Sequence, residues 1–214
     1  MKRRDFSLQL AAAGLGTVWA TSAGAQGGPV EGTHYTKLAQ PVPVSVPAGK
    51  IEVIEFFSYG CPHCFALEPT LEPWAKRLPD DVVFKRVPVG FNALYENYQK
   101  IYYALEAMGQ VENMHRKVFN AIHQQRLRLD KEADIAAFMT ANGIDGAKFV
   151  ELYKSFTVQT KAKQAQQLSQ AYKIEGVPTL AVQGRYTTSG SQAGSNERAL
   201  AVADALVQTA RKPG

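Results

Sequence analysis

The amino-acid sequence predicts an α/β fold, in which one mixed β-sheet flanked by helices is interrupted by an all-helical insertion. Two short apolar strands with a helix between them stand in the first half of the chain, and a hairpin followed by a helix stands near its end. Between these units, apolar residues recur at spacings of three and four, as on amphipathic helices. A βαβ unit and a ββα unit that share one sheet account for this order.

The first unit contains the segment around which the chain is organised. Ile51–Phe57 is rich in β-branched and aromatic residues, which predicts a buried strand, and a helix is predicted to begin at Pro62. Pro69 and Pro73 lie inside this helix and are expected to kink or interrupt it. The segment 82–89 predicts a second buried strand.

The insertion is predicted to contain five helices. Their apolar positions are Leu94, Tyr98, Ile101, Leu105 and Met108; Val111, His115, Val118 and Ile122; Ile135, Phe138 and Met139; Phe149, Leu152 and Tyr153; and Val158, Ala162, Ala165, Leu168 and Tyr172. Asp130 is the predicted N-cap of the third helix. His115 and His123 are interpreted as packing or surface residues.

The second unit follows the break at Gly176-Val177-Pro178. Thr179–Val182 and the segment 185–188 predict a hairpin around a Gln-Gly turn. The segment 189–195 is a predicted polar loop, and 196–211 predicts the last helix.

The N-terminus has the three regions of a cleavable signal peptide over residues 1–25. A basic start at Lys2 precedes an apolar stretch, and Ala23-Gly24-Ala25 supplies the small residues of a cleavage site. Arg3-Arg4 also fits a twin-arginine signal, so both bacterial export routes stay open. A short edge strand is predicted near Tyr35–Leu38, in a segment punctuated by prolines.

Composition limits the possible partners. The chain carries 24 Lys and Arg residues against 19 Asp and Glu, a formal charge of +5, and has no long basic run. Nucleic acid is therefore not predicted as a partner. The only two cysteines, Cys61 and Cys64, are too close in sequence for a bridge that constrains the unfolded chain much. In an exported protein, such a pair is predicted to react.

The sequence Cys61-Pro62-His63-Cys64 stands where a strand ending in glycine passes into a helix. The thiolate is the reactive form of cysteine, and the free N–H groups and positive dipole of a helix start would stabilise it at Cys61. His63 adds a donor or a positive charge, and Cys64 is predicted to be less exposed and to act second. The alternatives are two inert core cysteines or a zinc site, which needs about four ligands. Spacing and setting favour redox chemistry.

The segment 55–64, together with Gly176-Val177-Pro178 and the helical insertion, resembles the DsbA family of bacterial thiol:disulfide oxidoreductases in the thioredoxin superfamily. The resemblance implies a thioredoxin fold, Cys61 as the nucleophile and Pro178 as a cis-proline that faces it. The backbone of Val177 would then pair with a substrate peptide. The resemblance implies neither a cofactor nor a metal.

The resemblance also implies a buried acid with a basic partner beneath the active site. The residues alone leave Glu55 either on an exposed edge or buried, and the resemblance favours the buried position. Either Lys85 or Arg86 matches the base, with Arg86 favoured, and Glu68 matches a further acidic position. Gly60 departs from the family, whose members can carry an aromatic residue there.

The expected activity is oxidation of cysteine pairs in newly exported proteins by donation of the Cys61–Cys64 disulfide. The resemblance implies a periplasmic monomer that is reoxidised by a membrane protein resembling DsbB. The thioredoxin-like domain is expected at 26–90 and 166–214, with 91–165 as the insertion. The alternatives are a disulfide isomerase or reductase of the same fold, and a peptide-binding chaperone whose thiols are incidental.

Overall fold

The structure is a computed structural model that describes residues 27–212. The predicted signal peptide, residues 1–25, lies outside the described residues. The described chain forms five strands: β1 (Thr36–Lys37), β2 (Ile51–Phe57), β3 (Val82–Pro88), β4 (Thr179–Val182) and β5 (Tyr186–Thr188). Its helices are α1 (Pro62–Lys76), α2 (Ala93–Ala107), α3 (Val111–His123), α4 (Glu132–Ala141), α5 (Gly146–Lys154), α6 (Phe156–Ala171), α7 (Gly190–Ala193) and α8 (Asn196–Arg211).

The strands form one mixed sheet in the order β1-β5-β4-β2-β3. β2 pairs in parallel with β3 and antiparallel with β4, as expected for a βαβ unit joined to a ββα unit. The predicted edge strand is confirmed, because β1 lies at the end of the sheet and pairs with β5. This topology is the predicted thioredoxin fold.

All seven residues of β2 are buried, because helices cover both faces of the sheet. Val53 packs with α1 and α8 in one apolar cluster, while Ile54 and Phe56 pack with the inserted helices in another. The C-terminal end of β2 therefore lies between the two apolar clusters, and the chain continues from there into α1.

The predicted hairpin is also confirmed. Gln183 (φ 50°) and Gly184 (φ 65°) both lie in the left-handed region that two-residue hairpin turns require. Gly184 has a second reason to lack a side chain, since a Cβ there would collide with the carbonyl oxygen of Val42. This close approach holds the N-terminal extended segment against the hairpin.

Helices α2 to α6 occupy the region of the predicted insertion. The boundary predicted at residue 165 lies inside α6, so this helix continues from the insertion into the thioredoxin-like part. Within residues 27–212, no helix is both long enough and apolar enough to cross a bilayer.

The prolines of the first helix are predicted to kink or interrupt it, and no interruption is found. α1 continues through Pro69 and Pro73, which both lie on its exposed face. Water can solvate the carbonyl groups that lose their partners there, so the prolines do not end the helix.

Two further local predictions are wrong. Asp130 does not cap α4: Lys131 takes the N-cap position without a side-chain bond, and Asp130 pairs with Arg128 at 3.0 Å. The segment 189–195 is not simply a loop, because it contains α7, whose first turn is capped by Ser189. Serine is a good N-capping residue, so Ser189 at the start of this polar segment is itself a signal for a helix start.

Candidate active site

The junction of β2 and α1 places Cys61 at the N-cap of the helix. Its backbone is extended (φ −90°, ψ 115°), and its Sγ accepts a hydrogen bond of 3.3 Å from the backbone N–H of Cys64. This is the arrangement of a capping Ser or Asp, with sulfur as the acceptor. Pro62 occupies the first helical position, where its missing N–H costs no hydrogen bond.

The two free thiols have opposite environments. A hydrogen bond from the Cys64 thiol, together with the backbone N–H groups of Cys64 and His63, lowers the pKa of Cys61 to about 6 against the opposing effect of burial. Burial raises the pKa of Cys64 well above its usual value, and Cys64 has no exposed surface. Cys61 is therefore the thiolate at neutral pH, while Cys64 keeps its proton.

The loop before β4 faces Cys61. The Val177–Pro178 peptide bond is cis, and the Cys61 Sγ lies 3.3 Å from the carbonyl oxygen of Val177. A cavity of about 580 Å³ extends from this loop, with His63 at one side and the hydroxyl-rich residues that follow β5 at the other. The backbone of Val177 is thus beside both the sulfur and an open groove.

The structure brings Glu55, Arg86 and Glu68 together beneath the cysteines. Glu55 and Arg86 are neighbours in the parallel pairing of β2 with β3, and Arg86 Nε lies 3.1 Å from Glu55 Oε2. Arg86 also reaches Glu68 on α1, with its Nη2 3.2 Å from Glu68 Oε2. Lys85 instead pairs with Glu52 at 2.7 Å, because consecutive strand residues point to opposite faces.

The two carboxyl groups differ in their environments although they share one cation. Complete burial and the charge of Glu68 raise the pKa of Glu55 to about 8, in spite of the ion pair with Arg86. Burial also acts to raise the pKa of Glu68, but a hydrogen bond from His115 and the charge of Arg86 outweigh it and lower that pKa. Glu55 is therefore protonated at neutral pH and Glu68 is ionised.

The sequence interpretation missed three residues of this region. His115 contacts Glu68 and the hydroxyl of Tyr59, and His123 bonds the backbone carbonyl of Tyr59 at 2.8 Å. Phe119 lies between the two histidines on the same face of α3. The three residues are spaced by four, and this periodicity in the sequence indicates a common helix face. Both histidines do pack on helix α3, as interpreted; the interpretation left out their hydrogen bonds to Glu68 and Tyr59.

Gly60 is explained by the aromatic residues that lie over it. A Cβ at Gly60 would lie 2.7 Å from Cε1 of Tyr95 and 2.8 Å from Cε2 of Tyr98. Tyr98 is buried and its hydroxyl donates to the carbonyl of Arg128 at 2.6 Å, so its ring is held in place. The two tyrosines of α2 thus occupy the space where a side chain at position 60 would lie.

We expect Gly60→Ala to destabilise the protein by about 1–3 kcal/mol, as overpacking of a close-packed site does. Gly176→Ala is the matched control, because no atom lies within 4 Å of the added methyl group. Urea denaturation of both variants in the reduced form measures the difference. Equal free energies of unfolding in the two variants would contradict the close packing over Gly60.

Among residues 27–212, no group of three or more His, Cys, Asp or Glu side chains is arranged to hold a metal ion.

Comparison with known proteins gives consistent matches. The family model for the DSBA-like thioredoxin domain matches residues 52–199. The chain is 44% identical to the thiol:disulfide interchange protein DsbA of Bordetella pertussis over 99% of this chain and 100% of that protein. It is 42% identical to the DsbA of Pseudomonas aeruginosa, over 84% of this chain and 85% of that protein.

Solved structures agree with these matches. A crystal structure of Pseudomonas aeruginosa DsbA superposes with a TM-score of 0.81 at 42% identity, covering 84% of this chain and 93% of that one. The oxidoreductase DsbA from Xylella fastidiosa superposes with a TM-score of 0.80 at 30% identity, covering 86% and 98%.

Proposed function

Because the chain belongs to the DsbA family of thiol:disulfide oxidoreductases, we propose that it oxidises cysteine pairs of exported proteins by giving up its Cys61–Cys64 disulfide. The observation that carries this direction of electron flow is the contrast between the two thiols. Cys61 is stabilised as a thiolate at the helix start, and this favours the reduced protein over the disulfide form. A protein whose reduced form is favoured readily donates its disulfide.

The first step is the attack of a substrate thiolate on Cys61 Sγ. A new S–S bond forms between substrate and Cys61, the Cys61–Cys64 bond breaks, and its electron pair leaves on Cys64. Cys64 lies in a site that disfavours a thiolate, so a proton must reach it. Glu55 is the buried acid that supplies this proton, since its carboxyl is protonated at neutral pH, and an ionised Glu55 raises the pKa of Cys64 so that the proton is retained there. Glu55 then regains a proton from solvent, to which the two substrate thiols released theirs.

In the second step, the other substrate thiolate attacks the substrate sulfur of the mixed disulfide. Cys61 leaves as the thiolate that the Cys64 N–H and the first turn of α1 stabilise. The substrate has then lost two electrons and gained a disulfide, and the protein has gained two electrons as one thiolate and one thiol. Arg86 and Glu68 support Glu55 throughout, and no external cofactor enters the balance.

The substrates are proposed to be unfolded or newly exported proteins in the periplasm. The backbone of Val177 next to the sulfur and the groove beside it support strand-like binding that tolerates many sequences. The signal-like residues 1–25 and the names of the relatives support export. A membrane oxidase resembling DsbB would restore the disulfide, and the protein is proposed to act as a monomer.

The proposal is tested by mixing the oxidised protein with an equimolar, reduced, unfolded client that contains a single cysteine pair. We expect complete transfer of the disulfide to the client within one turnover, without a cofactor, as followed by thiol alkylation and mass spectrometry. The double variant Cys61→Ala/Cys64→Ala is the control for air oxidation. An equilibrium that leaves the client mostly reduced would contradict an oxidase and point to the reductase alternative.

A further inference from the structure

We propose that His115 is a positioning residue for this disulfide exchange: by donating to Glu68, it fixes Glu68 as the ionised partner of Arg86 and leaves the exchangeable proton on Glu55. This inference deepens the function proposed above and rests on it. It assigns the helical insertion, to which His115 belongs, a direct part in the proton chemistry of the cysteines.

His115 belongs to a continuous buried chain of hydrogen bonds. Its Nδ1 lies 2.9 Å from the Tyr59 hydroxyl, and its Nε2 lies 3.1 Å from Glu68 Oε1. The other oxygen of Glu68 accepts from Arg86, and Arg86 donates in turn to Glu55. These hydrogen bonds thus connect Tyr59, two positions before Cys61, through α3, α1 and β3 to Glu55 on β2.

The neighbours of His115 select one tautomer. Burial lowers the pKa of His115, so the ring is neutral and carries one N–H. An ionised Glu68 can only accept, so that N–H lies on Nε2 and Nδ1 accepts from the Tyr59 hydroxyl. Every polar atom of the ring is then satisfied, and Tyr59 and Glu68 hold the imidazole from both sides.

The bond from His115 breaks the symmetry between the two carboxyl groups. Glu55 and Glu68 share the single cation Arg86, and like charges in one buried site disfavour the ionisation of both. Glu68 receives donors from Arg86 and His115, whereas Glu55 receives one from Arg86, and its Oε1 has no partner among the described residues. The proton therefore rests on Glu55, the carboxyl on the cysteine side.

Other charged and titratable groups also face this site. They are Tyr102 from α2, Glu112 and Arg116 from α3, Glu72 from α1, and the two cysteines. Glu72, Glu112 and Arg116 line, with Glu68, Arg86 and His115, a polar cavity of about 80 Å³. This volume is large enough for water, so the His115 side of the chain has a route for proton exchange with solvent, while Glu55 has none of its own surface exposed.

The test follows the side-chain carboxyl carbons of the glutamates by NMR during a pH titration of the oxidised protein. In this form the cysteines do not titrate, so the readout is independent of their reactivity. Glu55→Gln assigns the Glu55 signal. In His115→Phe, we expect the inflection of Glu55 to fall by about one pH unit and that of Glu68 to rise, because the proton is then shared.

Two variants separate positioning from packing. His115→Gln can still donate to Glu68 and accept from Tyr59, so it is expected to restore most of the Glu55 inflection. Met114→Leu changes the neighbouring buried residue of α3 and is expected to leave that inflection unchanged. The rate of client oxidation should decline as the pH rises and Glu55 loses its proton. In His115→Phe this decline should begin at a lower pH than in the parent protein.

A folded His115→Phe variant whose Glu55 inflection stays at the parent value overturns the inference, as does a His115→Gln variant that shifts as far as His115→Phe. Should His115→Phe fail to fold, the ring-nitrogen shifts of His115 in the parent protein give the test: a neutral ring with its proton on Nε2 donates to Glu68 as proposed, and a ring with its proton on Nδ1 overturns the inference. The titration of the glutamates does not depend on the proposed function, because it uses the oxidised protein without a client. Whether the parent protein oxidises a client is measured separately.

Discussion

Cys61→Ser and Cys64→Ser are each expected to lose all detectable oxidation of a dithiol client, because neither variant can form the disulfide that is donated. Without the Cys61 sulfur, no thiol in a thiolate-stabilising site remains, since Cys64 is fully buried and holds its proton. Cys64→Ser keeps the Cys61 thiolate, so with a client that carries a disulfide it is expected to form a mixed disulfide at Cys61, as the client bond breaks and leaves one client thiol free. Stopped-time alkylation with non-reducing electrophoresis shows both results.

The comparison also separates an oxidoreductase from a chaperone with incidental thiols. The variants are matched to each other, because each replaces one sulfur by oxygen at the same helix start. Suppression of client aggregation is measured in parallel, and it should be unaffected by the loss of catalysis. Turnover that survives in Cys61→Ser would rule out the mechanism proposed here.

The reduced protein is expected to be more stable than the oxidised protein at neutral pH, and the difference should shrink in acid. The folded-state pKa of Cys61 is about 6, below the value of about 8.5 for an unfolded thiol. Such a depressed pKa gives a stabilisation that is complete above the unfolded value and is lost as the pH falls through about 6. With solvent screening at the sulfur, we expect about 1 kcal/mol at pH 7. Above about pH 8.5, the ionisation of Cys64 in the unfolded chain opposes any further gain, because burial keeps Cys64 protonated in the folded state.

Denaturant midpoints of both redox forms test this expectation when measured between about pH 5 and 8, below the pH at which Cys64 ionises in the unfolded chain. The disulfide closes a very short loop, and its own effect on stability does not depend on pH, so the pH dependence of the difference reports Cys61. In Cys61→Ala, the reduced form should lose this pH dependence. A constant difference between the parent forms across the range would show that the thiolate is not stabilised by folding.

Much of the fold was predictable from local pattern. The buried strand Ile51–Phe57, the Gln-Gly hairpin and the amphipathic helices of the insertion each depend on residues close in sequence. The wrong predictions also came from local rules: proline was expected to disrupt a helix, and the polar segment 189–195 was expected to be a loop. Pro69 and Pro73 lie on an exposed face of α1, which only the packing of that helix determines.

The candidate reacting pair was predictable from local sequence, because a Cys-Pro-His-Cys segment at a strand-to-helix junction needs only neighbouring residues to place Cys61 at the N-cap. The hydrogen bonds of the buried acids depend instead on tertiary packing. Arg86 and not Lys85 reaches Glu55 because of the strand register, and His115 reaches Glu68 and Tyr59 because α3 folds back against α1. Hydrogen bonds between residues far apart in the chain follow from packing and register, which local sequence patterns do not encode.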